Sequence, residues 1–350
     1  STLMRSSAAS DVYKRQVKVE GYKMKKESNG TTIVKNFMKS QGSVFIILLV
    51  MCIIASIFTD KFLSVSNLSN VLTQSVTCGI AAIGMTFVIL TGGIDLSVGG
   101  CIVFSATIGT KLLSEGKVGV GTAIIIMLLL GVLVGVFNGF LITVLKMPAF
   151  IATLASSNVT AGLALYISMG KTIIGLPLEY SFIGLKKIAG VPFCVLLMIC
   201  LYIVAYIVLK YTGYGRKVYA TGSNRKSAWL SGINVRLIEF SVYVIQGVMS
   251  ALVGVVLTSK LLTCTSTIGN GMEVNAIAAV VIGGASMSGG EGSVVGTIVG
   301  ALILTIISNA MNLMSVNAYL QQVVMGLIII MAILFDMVRK GYIFRKPDEE

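Results

Sequence analysis

A short polar stretch interrupts a long apolar segment at residues 86–100, TFVILTGGIDLSVGG, where Asp95 and Ser97 stand between two pairs of glycines. A carboxylate near the hydrocarbon core costs roughly 2.5–3.5 kcal/mol on insertion scales, so a chain keeps one where it faces a cavity, forms a pair or caps a helix. Glycines can end one helix, and Asp95 or Ser97 can then cap the next through a side-chain oxygen. Contact of Asp95 with a solute inside the membrane is the alternative.

A second polar stretch, NGMEVNAIAAVVIGG from Asn270, places Glu273 and Asn275 at the start of an apolar segment. These side chains either cap a helix N-terminus or line the outer mouth of a pathway. Three further asparagines lie in glycine-rich apolar segments and are weaker candidates for the same pathway: Asn138, Asn309 and Asn312.

A third stretch, GYGRKVYATGSNRKSAWLSGIN from Gly213, is polar and basic, with a short amphipathic segment at Ser223 to Ser231. Trp229 and Leu230 supply the apolar face, and Asn224, Arg225 and Lys226 supply the polar one. Such a segment can lie on a membrane surface or dock in the groove of a partner. The glycines at both ends favour a defined module.

The residues that ATP binding, hydrolysis or a proton relay would need are missing. The chain has no His and no G-x-x-x-x-G-K-[ST] motif, so it has no P-loop for ATP, and no set of residues suggests a hydrolase or a proton relay. The six cysteines form no CxxC pair, and we interpret them as small apolar core residues. We therefore expect no catalytic residue, no metal and no cofactor.

The composition indicates the type of secondary structure in which these residues lie. The 350 residues are 55% hydrophobic and 12% charged, against about 25% charged in soluble domains, and the mean hydropathy is +0.93. We predict an all-α membrane protein of about ten transmembrane helices, some of them broken or re-entrant, with 69–90 and 272–288 the candidates for shortening. The apolar windows are 43–59, 69–90, 97–113, 120–145, 149–168, 192–211, 236–259, 272–288, 293–313 and 319–338.

Basic residues predict the orientation. With a cytoplasmic N-terminus and ten alternating spans, twenty of the 27 Lys and Arg residues fall inside and seven outside. Both termini are therefore predicted to be cytoplasmic, and topology accounts for the net charge of +13 without a nucleic-acid partner. We predict a polar, disordered N-terminus at 1–41, of which 1–23 is an upstream extension, a membrane domain at 42–340 with a cytoplasmic loop at 211–235, and a cytoplasmic tail at 341–350.

The two halves of the chain show a weak sequence similarity. VILTGGIDLSVGG in the first half is matched by VVIGGASMSGGEGSVVG in the second, and each is followed by a glycine-rich segment that carries Asn. Paired glycine-interrupted segments are typical of internally repeated transporters. Chance similarity between glycine-rich helices is the alternative.

Three motifs carry a family resemblance: GMTFVILTGGIDLSVGG, GYGRKVYATGSNRKSAWLSGINV and EVNAIAAVVIGGASMSGGEGSVVGTIVGALIL. Over about residues 40–340 the chain resembles the permease subunits of bacterial ABC importers for ribose and related monosaccharides. The resemblance implies a multi-pass protein of the cell (inner) membrane, in contact with membrane lipid, that forms a sugar path. It also implies a second permease subunit (a homodimer or a heterodimer), a cytoplasmic ABC ATP-binding subunit and an extracytoplasmic sugar-binding protein.

The same resemblance implies a coupling loop that the ATPase drives, at Gly215 to Gly232. Its candidate residues are Gly215, Arg216, Gly222, Asn224, Arg225, Trp229 and Gly232. The family often has Asp where this chain has Asn275 and a basic residue where it has Glu291, which weakens charge-based arguments there. Nucleosides or a sugar-like signal are alternative cargoes, and an ion-coupled secondary transporter or a membrane enzyme is the alternative class.

Overall fold

The computed structural model describes the backbone of residues 30–339, and that part of the chain is helical apart from one small hairpin. The helices that precede the long connection at 169–192 are α1 (Gly30–Phe58), α2 (Val65–Leu90), α3 (Val98–Ser114), α4 (Val120–Thr143) and α5 (Ala149–Ser168). Those that follow are α6 (Phe182–Leu185), α7 (Phe193–Tyr211), α8 (Gly213–Ser223), α9 (Arg225–Leu230), α10 (Val235–Leu261), α11 (Met272–Ile282), α12 (Val294–Leu313) and α13 (Ala318–Arg339).

The chain divides into two units, 1–46 and 47–350. In the first unit the described part is the beginning of α1, which starts at Gly30 and so extends into the segment predicted to be polar and disordered. The predicted extension 1–23 and the predicted tail 341–350 lie outside the described residues. All contacts discussed below belong to the second unit.

Six described helices are long and apolar enough to cross a membrane: α2, α4, α5, α7, α10 and α12. Four shorter apolar helices coincide with the remaining predicted windows: Val44–Phe58, α3, α11 and Ala318–Leu334. The window 272–288, predicted as a candidate for shortening, is shortened, because α11 ends at Ile282 and is followed by glycines, of which Gly284 has a φ of 89°. Glycine adopts that left-handed conformation without strain, whereas a helix cannot continue through it.

Helix α2 lies at the centre of the second unit. In its most apolar window 72% of the residues are buried, against 28% in α4, which has the higher hydropathy. Apolar residues of α4 such as Leu129 and Leu133 remain exposed. A helix that is both more apolar and less buried is typical of the periphery of a membrane protein, where apolar side chains can remain outside the protein core.

Small residues set the contact between α4 and α10. Gly131, Gly135 and Gly139 recur every four residues along one face of α4, and a Cβ at Gly135 would lie 2.5 Å from the carbonyl oxygen of Tyr243 on α10. A Cβ at Gly247 of α10 would overlap the carbonyl oxygen of Gly131. The backbones can approach this closely because neither helix carries a side chain at the crossing, the small-xxx-small arrangement of membrane helices.

The connection between α5 and α7 has a defined structure. It contains a 3₁₀ turn at Leu178–Ser181, helix α6, and strands β1 (Lys187–Ile188) and β2 (Val191–Pro192) that pair antiparallel. Tyr180 is 1% exposed, and its hydroxyl lies 2.7 Å from that of Thr258 on α10. A buried phenol with a hydrogen-bond partner anchors the connection to α10.

Candidate functional site

The three glycine-containing motifs meet at one junction. The N–H of Gly290, after α11, donates to the carbonyl oxygen of Leu90 at the end of α2 (2.9 Å). A Cβ at Gly222 of α8 would overlap that same carbonyl oxygen and lie 2.6 Å from the Gly290 nitrogen, and a Cβ at Gly289 would lie 2.8 Å from the nitrogen of Gly92. Backbone therefore packs on backbone here, and glycine is the residue that permits it. We name this contact the glycine junction: Leu90, Gly92, Gly222, Gly289 and Gly290.

Two tyrosines fasten α8 beside the glycine junction. The Tyr219 hydroxyl donates to the carbonyl oxygen of Gly292 (2.9 Å), and the Tyr214 hydroxyl lies 2.7 Å from that of Ser241 on α10. Burial raises the pKa of both phenols above the usual range for tyrosine. Both groups thus stay protonated at neutral pH and available as donors. A displacement of α8 is mechanically linked through them to α10 and to the loop before α12.

The predicted coupling segment consists of two helices: α9 lies within the predicted short segment Ser223 to Ser231, and α8 precedes it. The chain turns at Asn224, whose side-chain oxygen accepts from the N–H of Ser227 (2.8 Å) and caps α9. At the other end, Thr212 caps α8 by accepting from the N–H of Gly215 (3.2 Å). Asparagine and threonine compete with the helical backbone for hydrogen bonds, which is why a cap residue breaks the segment in two.

The predicted coupling residues divide into two groups. Gly215 is buried, and a Cβ there would overlap the Leu209 backbone, whereas Gly232 ends α9 with a φ of 81°. The long side chains are exposed, with Trp229 at 66%. This group comprises Arg216, Arg225 and Trp229. The glycines and Asn224 thus shape the segment, while the exposed cations and the tryptophan are accessible to a partner.

One cation of α9 is paired. The Arg225 guanidinium donates to the Glu239 carboxylate of α10 at 2.9 Å, with the arginine 67% exposed and the glutamate 13%. An exposed partner limits the stability that such a pair adds to about 1 kcal/mol or less. Its significance is geometric, because it ties α9 to the helix that also carries Tyr243.

Asp95, Ser97 and Asn138 form a buried chain of hydrogen bonds. Asp95 Oδ1 accepts from the N–H of Ser97 (2.8 Å) and from its hydroxyl (2.6 Å), and Asn138 Nδ2 donates to Ser97 Oγ (2.7 Å). Each of these side chains is at most 2% exposed. Ser97 is the N-cap of α3 but makes no side-chain capping bond, so the predicted capping by a side-chain oxygen within the helix is wrong in detail. Asp95 instead satisfies the amide of the cap residue itself.

Glu273 lies against the beginning of α3. A Cβ at Gly99 would lie 2.6 Å from Glu273 Oε2 and 2.8 Å from the carbonyl oxygen of Gly269. Helix α11 rises only about 16 Å over its 11 residues, roughly half the ~30 Å hydrocarbon core. Glu273 is partly exposed and Gly271 before it is exposed, so the start of α11 reaches the protein surface. The Glu273 carboxylate lies beside the α3 N-terminus, and its place at the outer mouth of a pathway stays a prediction.

Two acceptors near this meeting point lack a hydrogen-bond partner within the described part of the chain: Glu273 Oε2 and Asn138 Oδ1. Buried acceptors of this kind are normally satisfied by protein, water or a bound solute. The beginnings of α3 and α11 thus bring together Asp95, Ser97, Asn138 and Glu273 as a polar cluster in an apolar surrounding. We name these four residues the polar cluster.

The remaining predicted asparagines lie elsewhere. Asn309 of α12 exchanges two amide hydrogen bonds with Asn67 of α2 (2.9 and 3.0 Å), and Asn312 accepts from Gln321 (2.9 Å). Asn275 accepts a thiol contact from Cys78 through its carbonyl oxygen (3.7 Å). None of these contacts includes a residue of the polar cluster, so the structure does not bring these asparagines to it.

The weak sequence similarity between the two halves of the chain has only a partial structural counterpart. The glycine loops after α2 and α11 lie side by side and each leads into the next helix, as the Gly290–Leu90 bond shows. The asparagines that follow differ in surroundings, because Asn138 reaches Ser97 whereas Asn309 reaches Asn67.

Four residues that support these contacts were not singled out by the sequence: Asn67, Tyr219, Glu239 and Tyr243. The hydroxyl oxygen of Tyr243 would lie 2.6 Å from a Cβ at Gly93, in the loop that carries Asp95. A polar residue inside an apolar window is the one available hint, and it applies to Glu239. No group of three or more metal-ligating side chains occurs in the described residues.

Comparison with known proteins gives consistent matches. Residues 67–333 match the family described as the permease component of the branched-chain amino acid transport system. The ribose import permease protein RbsC of Bacillus subtilis (strain 168) is 42% identical over 294 residues, which is 83% of this chain and 91% of that protein.

The relatives are named for more than one sugar. RbsC of Haemophilus influenzae is 38% identical over 317 residues, covering 89% of this chain and 97% of the relative. The D-allose transport system permease protein AlsC of Escherichia coli (strain K12) is 33% identical over 300 residues, covering 86% and 92%. No solved structure matches this chain. The chain is a multi-pass membrane protein that belongs to the permease family of the ribose and related monosaccharide ABC importers.

Proposed function

We propose that this chain forms the membrane path for a monosaccharide, of the ribose type, in an ABC importer. The observation that carries the proposal is the glycine junction, in which α8, the helix that leads into α9, packs directly against the loops that lead into α3 and α12. A push on α8 and α9 reaches those loops without a flexible linker between. The cargo follows from the names of the relatives, two of which are ribose permeases.

In this proposal the chain itself catalyses no reaction. A cytoplasmic ATP-binding subunit receives α8 and α9 in its surface and moves them as ATP closes its cassettes. Arg216, Arg225 and Trp229 supply the contact, and the coupled motion opens the path alternately to the two sides. An extracytoplasmic binding protein delivers the sugar and supplies most of the selectivity.

The proposed arrangement has ten spans, with both termini cytoplasmic, in the cell (inner) membrane. The excess of Lys and Arg on one side supports this orientation. A second permease subunit completes the path, and membrane lipid covers the exposed apolar faces of helices such as α4. The polar cluster lies along the path or next to it, where its hydrogen-bonding groups lower the cost of moving a hydroxylated solute.

Purification with the ATP-binding subunit tests the proposal. The two proteins are co-expressed, and the tagged chain is purified as wild type and as the double variant Arg225→Glu/Trp229→Glu. The matched control is Lys171→Glu/Tyr166→Glu, an exposed cation and an exposed aromatic residue away from α9. We expect the ATPase to co-purify with the wild type and the control but not with the α9 variant.

Uptake into proteoliposomes identifies the cargo. Labelled ribose is supplied with the binding protein and ATP, and unlabelled allose, a nucleoside or no competitor is added. Competition by the nucleoside alone would replace the sugar assignment. Full uptake after deletion of 223–231, without an ATPase, would favour an ion-coupled secondary transporter.

A further inference from the structure

A cavity of about 700 Å³ opens beside α9, on the side of the protein predicted to face the cytoplasm. Its walls come from the loop after α2, from the turn between α4 and α5, and from the facing parts of α9 and α10. The volume lies within the range of small-molecule sites in proteins, about 300–1,000 Å³. The proposed coupling mechanism assigns this cavity no occupant.

The charge of the cavity is strongly asymmetric. Lys146, Arg225 and Arg236 line it, and among the described residues Glu239 is its one lining acid. Arg225 and Glu239 bond to each other at 2.9 Å, which leaves Lys146 and Arg236 without an acidic partner in the described part of the chain. These residues come from three separate segments, so sequence proximity does not account for their convergence. Cations gathered around a concave surface raise the local concentration of anions.

The α5 N-terminus adds to the attraction for an anion. Its N-cap is Pro148, which makes no side-chain capping bond, and Pro148 and Ala149 both line the cavity. The first N–H groups of the helix therefore carry their partial positive charge toward the same space as Lys146. Backbone amides and basic side chains together are the usual constituents of a phosphate site.

Two lining hydroxyls can act as hydrogen-bond acceptors. The hydroxyls of Thr91 and Thr143 donate to the carbonyl oxygens of Val88 (2.8 Å) and Gly139 (2.7 Å), so each oxygen keeps its lone pairs to accept a further hydrogen bond. Glu239 offers a further acceptor. A ligand that carries hydroxyl donors beside its anionic group complements both parts of the cavity, whereas a simple inorganic anion complements one.

We propose that this cavity binds a phosphate ester, with the phosphate between Lys146, Arg236 and the α5 N-terminus and the hydroxyls of the ester toward Thr91, Thr143 and Glu239. The ligand is either a free sugar phosphate or the headgroup of an anionic phospholipid, which share this chemistry. Binding itself does not depend on the proposed transport function. Because Arg225 and Glu239 line the same space, occupancy holds α9 against α10.

The only tryptophan of the chain provides a direct readout, since Trp229 lies on α9 four residues after Arg225. The full chain is placed in phosphatidylcholine nanodiscs, and ribose 5-phosphate is titrated at constant ionic strength while Trp229 fluorescence is recorded. We expect a saturable change in the wild type and an apparent Kd at least ten-fold higher in Lys146→Gln/Arg236→Gln. The control Lys171→Gln/Lys187→Gln has the same net charge and exposed positions, and it retains the wild-type Kd.

Lipid composition separates the two sources of the ligand. If the ligand is free, ribose 5-phosphate still binds when part of the phosphatidylcholine is replaced by phosphatidylglycerol. If the ligand is a headgroup, phosphatidylglycerol raises the unfolding temperature of the wild type but not of the Lys146/Arg236 variant, and it abolishes the titration. The proposal is overturned if neither probe distinguishes that variant from the control. Both substituted side chains are exposed, and gel filtration verifies that the variant is folded.

Discussion

Alanine at Gly222 is the sharpest perturbation of the glycine junction. Its Cβ would overlap the carbonyl oxygen of Leu90 and lie 2.6 Å from the nitrogen of Gly290, and both neighbours are backbone atoms that cannot rotate away. We expect this substitution to separate α8 from the ends of α2 and α11. The matched control is Gly213→Ala on the same helix, whose Cβ would have 3.7 Å of space from Arg216 Nη2.

The size of the effect follows from three contributions. Overpacking costs about 1–3 kcal/mol. Loss of the hydrogen bond from Gly290 to Leu90 costs about 1 kcal/mol more. Alanine regains up to about 1 kcal/mol over glycine as a helix former. The expected net loss in the free energy of unfolding is about 1–3 kcal/mol for Gly222→Ala, against no loss for Gly213→Ala.

Buried thiols report the unfolding of the purified chain. A thiol-reactive dye is followed during heating in a background where the accessible Cys52 and Cys200 are serine. The reporting residues are buried in the native state: Cys78, Cys101, Cys194 and Cys264. On the scaling for soluble domains, the expected loss lowers the midpoint by several degrees. In proteoliposomes the same variant is expected to lose ATP-dependent uptake.

Equal midpoints for Gly222→Ala and Gly213→Ala would refute the packing argument. A lower midpoint with full ATP-dependent uptake would keep the packing but refute the role of the junction in coupling.

Three further experiments test other contacts. A double-mutant cycle on Asn67→Ala and Asn309→Ala is expected to give a coupling energy of about 0.6–1.7 kcal/mol, measured by thermal unfolding, because the two amides bond to each other. Gly135→Ala is expected to destabilise the chain by about 1–3 kcal/mol, because its Cβ meets the backbone of α10, whereas Gly121→Ala on the same helix has open space. Asp95→Ala is expected to cost about 2–4 kcal/mol by leaving two buried donors without an acceptor, and Asp95→Asn less.

Each of these has an outcome that would contradict it. Additive losses in the cycle would show that the amide pair contributes nothing beyond its separate parts. Equal stability of Gly135→Ala and Gly121→Ala would mean that α4 and α10 are farther apart than described. If Asp95→Asn is as damaging as Asp95→Ala, the charge of Asp95 matters more than its role as an acceptor.

The class of protein and the approximate position of its helices could be predicted from the sequence. Apolar windows are local properties, and the cost of exposing backbone polar groups to lipid forces each window into a helix. The window 149–168 coincides with α5, and most others agree within a few residues. The break at Asn224 was harder to predict from the sequence, because the free energies of capping a helix and of continuing it differ by only about 1 kcal/mol.

The polar cluster was predicted as separate residues and not as a cluster. Asp95, Ser97, Asn138 and Glu273 each stood out as polar groups in apolar surroundings, but their spacing along the chain says nothing about which of them meet. The same signal selected Asn309 and Asn312, which lie elsewhere. Intramembrane polarity marks a residue as constrained without distinguishing a helix-helix bond from a path.

By itself, the sequence determined that the chain is a membrane protein and where glycine allows the backbone to turn. Only the tertiary structure decided that the motifs around Leu90, Gly222 and Gly290 form one junction, and that Asn67 bonds to Asn309, 242 positions away. The physical reason is that hydrophobicity and turn chemistry act over a few neighbouring residues. Which helices meet depends instead on the packing of all their surfaces together, and the small residues that permit close approach do not specify the partner.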